Sequence, residues 1–434
     1  MKNRIYSIAF IAFIFLPGIA LSQFTISAEL RPRFEMDNGT IKPRPDSMNT
    51  IYYVSQRTRI KFDLNREKYQ LRLSLQDVRI WGNGDIYTST GVFGSTTSVG
   101  IHEAWFSLKL GEYSLLKIGR QAMKLDDLRL ISSRNWNQFG LSYDALVYQF
   151  QKNKWELSTA LSYNNSINVT NGKIIEFGDL FNNTNIIKTL NYIHLKKSVN
   201  SNLNASIMAI GAGYQHPANP SVIYMTGTYG LWLKYANEKF DITTNAYFQN
   251  GNAQSGKDVN AYMFTLHPGI KFQDKRLGMG WDYFSGDNAN NSDYDIKEKT
   301  FNKMYGAVIK FSGLMNYYTY MKTSTANGGL IDIYPNLKIP VNSKLSFTMI
   351  YHKFYLANPV LVEGAIIDDT DLGSELDMRY SYKILKDANL EGGFSFYFTT
   401  ETLKKVKNVA TSEIRSPYWV WIMITFTPDL FTAK

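Results

Sequence analysis

The chain has 434 residues, with 47 Lys and Arg against 37 Asp and Glu, a formal net charge of +10 and no cysteine. The absence of cysteine excludes a disulfide framework and a thiolate metal site. Mean hydropathy is slightly negative and aromatic residues make up 15% of the chain, which is not typical of a helical membrane protein. A transmembrane β-barrel has this composition, because only alternate residues face lipid and Tyr and Trp collect at both interfaces.

The N-terminus has the three parts of an export signal. Lys2 and Arg4 form a positive region, 5–16 is apolar, and small residues at Ala20 and Ser22 follow a Pro-Gly pair. The apolar run is shorter than the roughly 20 residues that a membrane span requires, which disfavours the alternative of an N-terminal anchor. We therefore expect a signal peptide over 1–22 and a single mature domain over 23–434.

Alternation of polar and apolar residues begins directly after this signal. Leu30 and Phe34 belong to one set of the first segment, while Arg31 and Glu35 belong to the other. A period of two places the sets on opposite faces of a β-strand. The pattern is strict over 375–384, so each strand has one apolar, aromatic-rich face and one charged face.

The same analysis predicts strands along most of the chain. After the first they lie at 57–64, 69–76, 103–110, 116–118, 143–151, 155–163, 189–196, 203–213, 223–235, 240–249, 261–273, 277–285, 304–311, 313–322, 329–339, 344–355, 375–385, 389–398 and 417–427. Short turns alternate with long polar loops such as 84–99, 164–185 and 286–301. This alternation is typical of a barrel with turns at one end and loops at the other, and it favours an even number of about 16–20 strands.

Several motifs then resemble the alginate-export family of porins. In chain order they are His102-Glu103-Ala104-Trp105, Gly119-Arg120-Gln121, Asp126-Asp127-Leu128-Arg129-Leu130, Trp136 with Gln138, Tyr143-Asp144-Ala145, Trp281-Asp282-Tyr283-Phe284-Ser285-Gly286-Asp287, Thr300-Phe301-Asn302 and Gly373-Ser374-Glu375-Leu376-Asp377. The resemblance implies an outer-membrane barrel of about 18 strands with a cationic lumen that passes a polyuronate. Leu141 and Ser142 stand where many relatives carry basic residues, so alginate itself is less firmly implied than a channel.

The fold class that we predict is all-β, a transmembrane antiparallel up-and-down barrel of about 18 strands. Its predicted pore lining consists of the basic residues on polar strand faces and in the family motifs: Arg31, Arg33, Arg57, Arg59, Arg72, Lys109, Arg120, Arg129, Arg134 and Arg379. Arg and Lys around a pore attract anions, and Arg binds carboxylates through two parallel hydrogen bonds. The alternative is that acids on the same faces, such as Glu29 and Glu103, pair with these residues and only brace the wall.

A second set of motif residues is expected to have a structural role: Gly119, Gln121, Asp127, Trp136, Asp144, Ser285, Gly286, Asp287, Glu375 and Asp377. For Trp105, Trp136 and Trp281, anchoring at a membrane interface is the favoured role, with stacking on sugar rings as the alternative. The carboxylates around 285–298 match no calcium-loop spacing, so we expect turns there and no metal site.

The five histidines are scattered, and the chain has neither a Gly-x-Ser-x-Gly elbow nor a paired-His metal motif. We therefore expect no catalytic residue, no cofactor and no enzymatic activity. A soluble exported β protein is a further alternative. Nucleic acid is not an expected partner, because export separates the chain from it.

The predicted protein is a porin-type channel of the outer membrane of a Gram-negative-type bacterium. It is expected to pass anionic polysaccharide or other anionic solutes by passive diffusion through a cationic lumen. The alternative is a general or sugar-selective porin with little charge selectivity. Its expected partners are outer-membrane lipid, an anionic saccharide and periplasmic components of an export or uptake system.

Overall fold

The computed structural model of the protein describes residues 23–82, 86–87, 93–94, 99–164, 187–216, 222–409 and 416–433. The predicted signal peptide and most of the predicted loops 84–99 and 164–185 lie outside these residues. Among the described residues, no helix is long and apolar enough to cross a bilayer.

Strands dominate the described secondary structure. In chain order they are β1 Gln23–Asn38, β2 Ile51–Asn65, β3 Tyr69–Ile80, β4 Ile86–Tyr87, β5 Phe93–Gly94, β6 Gly100–Lys109, β7 Ser114–Gln121, β8 Tyr143–Lys152, β9 Trp155–Ser162, β10 Ile187–Ser198, β11 Leu203–Gln215, β12 Ile223–Ala236, β13 Phe240–Asn252, β14 Asp258–Phe272, β15 Lys275–Phe284, β16 Leu330–Pro340, β17 Leu345–Tyr355, β18 Val360–Val362, β19 Ala365–Ile367, β20 Asp371–Leu385, β21 Ala388–Phe398, β22 Tyr418–Phe426 and β23 Asp429–Ala433. The two described helices are short: α1 Met321–Ser324 and α2 Glu401–Val406.

One antiparallel sheet contains 19 of these strands, while β4–β5 and β18–β19 form separate hairpins. Each strand of the large sheet pairs with the preceding and following one, and β1 closes the ring by pairing with β22 and β23. Because β23 continues β22 beyond Pro428, the described strands occupy 18 positions around a closed barrel. The predicted all-β antiparallel barrel of about 18 strands is therefore confirmed.

The two faces of the wall follow the predicted alternation. In β1, Arg31 and Glu35 are buried inside the barrel, while Leu30 and Phe34 are 42% and 38% exposed on the outside. An apolar outer face with a polar inner face is the arrangement that a lipid-embedded barrel requires.

The structure contradicts two of the predicted strands, 304–311 and 313–322. Both lie within 285–329, which joins β15 to β16, folds into the lumen and contains α1 and isolated β-bridges but no strand. Its apolar side chains, among them Met315 and Tyr318, are buried against residues of the inner wall. The apolar positions of this segment therefore reflect packing inside the barrel and do not form a lipid-facing strand.

Two long connections, both at the long-loop end, determine the shape of the lumen. We call 122–142, between β7 and β8, the first inner segment, and 285–329 the second inner segment. Most of their apolar residues belong to one buried cluster with inward-facing side chains of the strands. An 18-strand barrel is wide enough for an aqueous channel, so these segments narrow an otherwise open lumen.

Gly119 allows β7 to approach β6 closely at the start of the first inner segment. Its φ is +116°, and a Cβ atom there would overlap the carbonyl oxygen of Ala104. We expect Gly119→Ala to destabilise the barrel by about 1–3 kcal/mol, since the backbone must move to remove the overlap. The measurement is the temperature at which the folded band disappears on a semi-native gel.

Gly111→Ala is the matched control, because a Cβ atom at Gly111 would meet no heavy atom within 4 Å. Equal transition temperatures for the two variants would contradict the expected strain at Gly119.

Candidate functional site

The two inner segments pair with each other across the lumen. The amide N of Ser132 donates to Tyr305 O at 3.1 Å, and the amide N of Tyr305 donates to Leu130 O at 3.1 Å. Arg134 strengthens this pairing, since its Nε donates to Gly306 O at 2.8 Å. Burial lowers the pKa of Arg134. Arg134 therefore joins the two segments and is not a freely exposed residue of the pore lining.

Four arginines of β1 and β2 hold the first inner segment, and we call them the basic wall: Arg31, Arg33, Arg57 and Arg59. Arg31 donates to the backbone oxygens of Asn135 and Asn137 at 2.8 and 2.9 Å. Arg57 donates to the same two oxygens at 2.9 and 3.1 Å. The side chain of Gln138 accepts a further bond from Arg31 at 2.9 Å. The guanidinium groups thus satisfy carbonyls of an irregular segment that has no strand partner there.

Arg59 and Arg33 extend the same contact. Arg59 donates to the side-chain oxygen of Asn135 at 2.7 Å. Arg33 lies 2.7 Å from Glu35 and stacks 4.2 Å above the centre of the Trp136 ring. All of these arginines are less than 10% exposed.

Trp136 lies inside the barrel, which differs from the interfacial position that we predicted. Its ring packs edge-on against Trp419 and Trp421, with ring centres 5.8 and 5.3 Å away. Trp105 is also inside, with Lys117 3.9 Å above its ring centre, whereas Trp281 is 36% exposed and opposes the apolar outer residue Leu266. Of the three, Trp281 alone lies on the outer face, where interfacial anchoring takes place.

The tip of the first inner segment crosses the lumen to β10, β11 and β13. Asp126 lies 2.9 Å from His194 Nε2 and accepts a hydrogen bond from Ser206 at 2.7 Å. Asp127 accepts one from Asn245 at 3.0 Å. These contacts fix the segment at a second place, far along the ring from the basic wall.

Arg129 supplies a third attachment, to β15. Its Nη1 lies 2.6 Å from Asp282, and both side chains are almost fully buried. Asp282 also lies 2.6 Å from His267 Nε2, and Tyr334 OH lies 2.7 Å from the same nitrogen. Burial lowers the pKa of Arg129, but Asp282, Tyr334 and Asp127 raise it by more, so the net pKa is raised. Arg129 is therefore a charged structural residue rather than an exposed one.

Carboxylates of β20 hold the second inner segment. Glu375 accepts a hydrogen bond from the amide N of Met315 at 2.8 Å. Asp377 accepts one from the amide N of Leu314 at 3.1 Å and another from Ser395 at 2.5 Å. The two motif acids thus bind backbone N–H groups of a segment that lacks a strand partner.

The motif at the start of the second inner segment forms a compact turn. Ser285 Oγ accepts a hydrogen bond from the amide N of Tyr262 at 2.8 Å. Asp287 accepts one from the amide N of Asp295 at 2.6 Å, and a Cβ atom at Gly286 would overlap the backbone of Gly328. The nearby acids Asp293, Asp295 and Glu298 each pair with a lysine.

Arg120 lies on the outside of the barrel, which differs from its predicted position in the pore lining. The register places it opposite Ala104 and Asp144, on the face that carries the exposed Ile118 and Leu146. It pairs with Asp144 at 2.8 Å near the end of β7. The inward positions of this strand belong to its sequence neighbours, and one of them, Gln121, donates to Ala145 O at 2.9 Å.

A cavity of about 730 Å³ remains beside the first inner segment. Strands β2, β3 and β6–β10 contribute most of its lining. Its basic lining residues are Arg59, Lys61, Arg72, Lys117, Lys124 and Lys196, and its acidic ones are Glu103, Asp126 and Glu156. Only Arg59 and Arg72 belong to the predicted pore lining.

The other residues of the predicted pore lining do not line this cavity. Arg31, Arg33 and Arg57 lie beneath the first inner segment, and Lys109 is exposed at the end of β6. Arg379 belongs to the inward set of β20 with Glu375 and Asp377, and it has no ion pair within the described part of the chain.

Sequence reasoning missed the four lysines of the cavity. Lys61 was detectable, because it follows Arg57 and Arg59 at the same period of two. Lys117 and Lys196 also alternate with apolar neighbours, but Lys124 lies in a loop where alternation carries no information.

Comparison of the sequence with models of known protein families gives one match. Residues 22–162 match the family model described as alginate export, which confirms the resemblance predicted from the motifs. Comparison with curated proteins gave no match.

Solved structures with the same fold are much more distant in sequence. OccAB4 of Acinetobacter baumannii has a TM-score of 0.61 at 12% identity, with 94% of this chain and 98% of that chain covered. OccK3 (OpdO) of Pseudomonas aeruginosa has a TM-score of 0.62 at 11% identity, covering 94% and 96%. OpdK of the same species, solved with vanillate, has a TM-score of 0.57 at 10% identity, covering 94% and 98%.

These findings indicate a channel in a lipid environment rather than an enzyme. The protein is an outer-membrane β-barrel channel of the Gram-negative type, and its residues 22–162 match the alginate-export family.

Proposed function

We propose that this channel passes anionic solutes, with anionic saccharides as the favoured class, by passive diffusion through a cationic lumen. The observation that carries this proposal is the lining of the 730 Å³ cavity, which has six basic and three acidic residues. Low-dielectric walls focus the field of such an excess and raise the local concentration of anions.

The acids of the cavity are already engaged by neighbouring groups. Glu103 lies 3.5 Å from Arg72 and accepts a hydrogen bond from the amide N of Ala122 at 3.1 Å, and Glu156 lies 3.5 Å from Lys196. Asp126 is held by His194 and Ser206, as described above. Their capacity to neutralise the remaining cations is therefore small.

Three lysines of the lining have either a distant, shared carboxylate partner or no ion pair among the described residues. The carboxylate nearest to Lys61 is Glu29 at 4.0 Å, and the ammonium of Lys117 faces the ring of Trp105. Lys124 is exposed, and no ion pair involves it in the described part of the chain. Flexible ammonium groups of this kind attract an anion without holding it in one geometry, which suits passage.

Two comparisons support an anion that carries a ring. The matching family model is described as alginate export, and OpdK was solved with vanillate, an aromatic carboxylate. In this chain two cations of the cavity lining lie over the ring of Trp105: the ammonium of Lys117 is 3.9 Å from the ring centre, and the guanidinium carbon of Arg72 is 5.4 Å from it. An aromatic face beside cations suits a ring-bearing carboxylate such as a uronate.

The second candidate is a general or sugar-selective porin with little charge selectivity. The observation that favours it is the engagement of the arginines of β1 and β2, whose donors are directed to protein oxygens. In that case the charges of the wall would brace the barrel and contribute little to ion selection.

Replacing Lys61 and Lys117 together by Gln separates these candidates. Removing two positive charges from the cavity lining is expected to lower the ratio of anion to cation permeability by about twofold, because the local anion concentration falls with the potential. The measurement is the reversal potential of single channels in asymmetric potassium chloride.

The control is Arg120→Gln, which removes a cation from the outer face and is expected to leave the reversal potential unchanged. An unchanged reversal potential in the double lysine variant would favour the channel without charge selectivity.

A further inference from the structure

We propose that Arg31 and Arg57 are positioning residues, which fix the first inner segment against the wall and thereby set the conductance of the pore. They act on the channel's width, not on the permeating solute. The inference rests on the proposed channel function and deepens it, because it separates residues that shape the passage from residues that select charge.

Every guanidinium nitrogen of Arg57 already donates to the protein. Its Nε donates to Glu29 at 2.7 Å, and Nη2 pairs with the same carboxylate. Its Nη1 is directed at the backbone oxygens of Asn135, Asn137 and Gln138, at 2.9, 3.1 and 3.3 Å. A passing anion would have to displace one of these partners to bind Arg57.

Arg31 is engaged in the same way. Its Nε donates to the side chain of Gln138 at 3.1 Å, and its Nη1 donates to Asn135 O at 2.8 Å. Its Nη2 reaches the backbone oxygens of Trp136 and Asn137, at 3.0 and 2.9 Å. Among the described residues Arg31 has no ion-pair partner, so carbonyl dipoles take the place of a carboxylate.

Both side chains are closed off from the lumen. Arg57 is 1% exposed and Arg31 is 4% exposed. The amide of Gln138 completes the contact from the other side, because its Nε2 donates to Ser55 Oγ at 2.9 Å. The four residues 135–138 are therefore held by side chains of β1 and β2 rather than by a strand partner.

The planar fork of an arginine suits this arrangement, and a lysine does not reproduce it. Guanidinium presents five N–H donors in fixed directions, whereas an ammonium has three donors on a single nitrogen. An Arg-to-Lys exchange therefore keeps the charge of the wall and loses most of the bonds to the segment. This property separates a positioning role from a purely electrostatic one.

The test is the double variant Arg31→Lys with Arg57→Lys in the full-length channel, recorded in planar bilayers. We expect single-channel conductance to rise by about twofold with more open-channel noise, since the segment loses its fixed position. The reversal potential in asymmetric salt is expected to stay unchanged, because the wall keeps its charge. Faster amide hydrogen exchange over 133–140 in the folded variant would report the release directly.

Arg120→Lys is the matched control, since Arg120 lies on the outer face of the barrel and pairs with Asp144, and its exchange is expected to leave conductance unchanged. Unchanged conductance and exchange in the double variant would overturn the inference. A shifted reversal potential at unchanged conductance would also overturn it, by assigning the two arginines to the solute. The double variant of Lys61 and Lys117 tests charge selection independently. The proposed anion selectivity and the proposed positioning role can therefore fail separately.

Discussion

Within a bilayer every backbone N–H and C=O group needs a partner supplied by the protein, and the architecture depends on that constraint. Pairing of β1 with β22 and β23 meets it by closing the sheet, so that no strand edge faces lipid. Closure at 18 positions creates a lumen too wide to be filled by wall side chains alone. Two long connections occupy this space, and their own backbone groups then need partners.

The wall meets this second need with charged side chains of two kinds. Carbonyl oxygens of the first inner segment receive guanidinium donors from Arg31 and Arg57. Amide N–H groups of the second inner segment donate hydrogen bonds to the carboxylates of Glu375 and Asp377. Arg129 and Asp282 add a buried ion pair between the first inner segment and β15. In one part of the barrel, polar side chains of the inner face thus hold the inner segments in place. In another part, lysines of the same face line the cavity.

Alternation in the sequence was sufficient for the strands and for the direction in which most side chains point. It could not show whether an inward basic residue meets water or another part of the chain, because Arg57 and Lys61 share the period of two on β2, yet Arg57 is buried beneath the first inner segment and Lys61 lines the cavity. Nor could it distinguish a lipid-facing strand from the apolar interior of 304–322, where the same residue types are buried in the lumen.

Two further errors have different causes. Arg120 has the same parity on β7 as the exposed Ile118, so alternation alone places it on the outer face, and only its motif suggested a place in the pore lining. Trp136 was predicted at the interface only because Trp is common there. The position of its segment depends on contacts between residues more than 100 apart in sequence, such as that between Arg31 and Gln138.

The central claim is that the inner segments, and not the diameter of the barrel, determine what passes. The most direct measurement is the single-channel conductance of a variant in which 124–140 is replaced by a short Gly-Ser linker. With the strands unchanged, the account predicts a conductance several-fold higher than that of the intact channel, because the lumen of about 18 strands is left open on that side. A folded variant with unchanged conductance would contradict it.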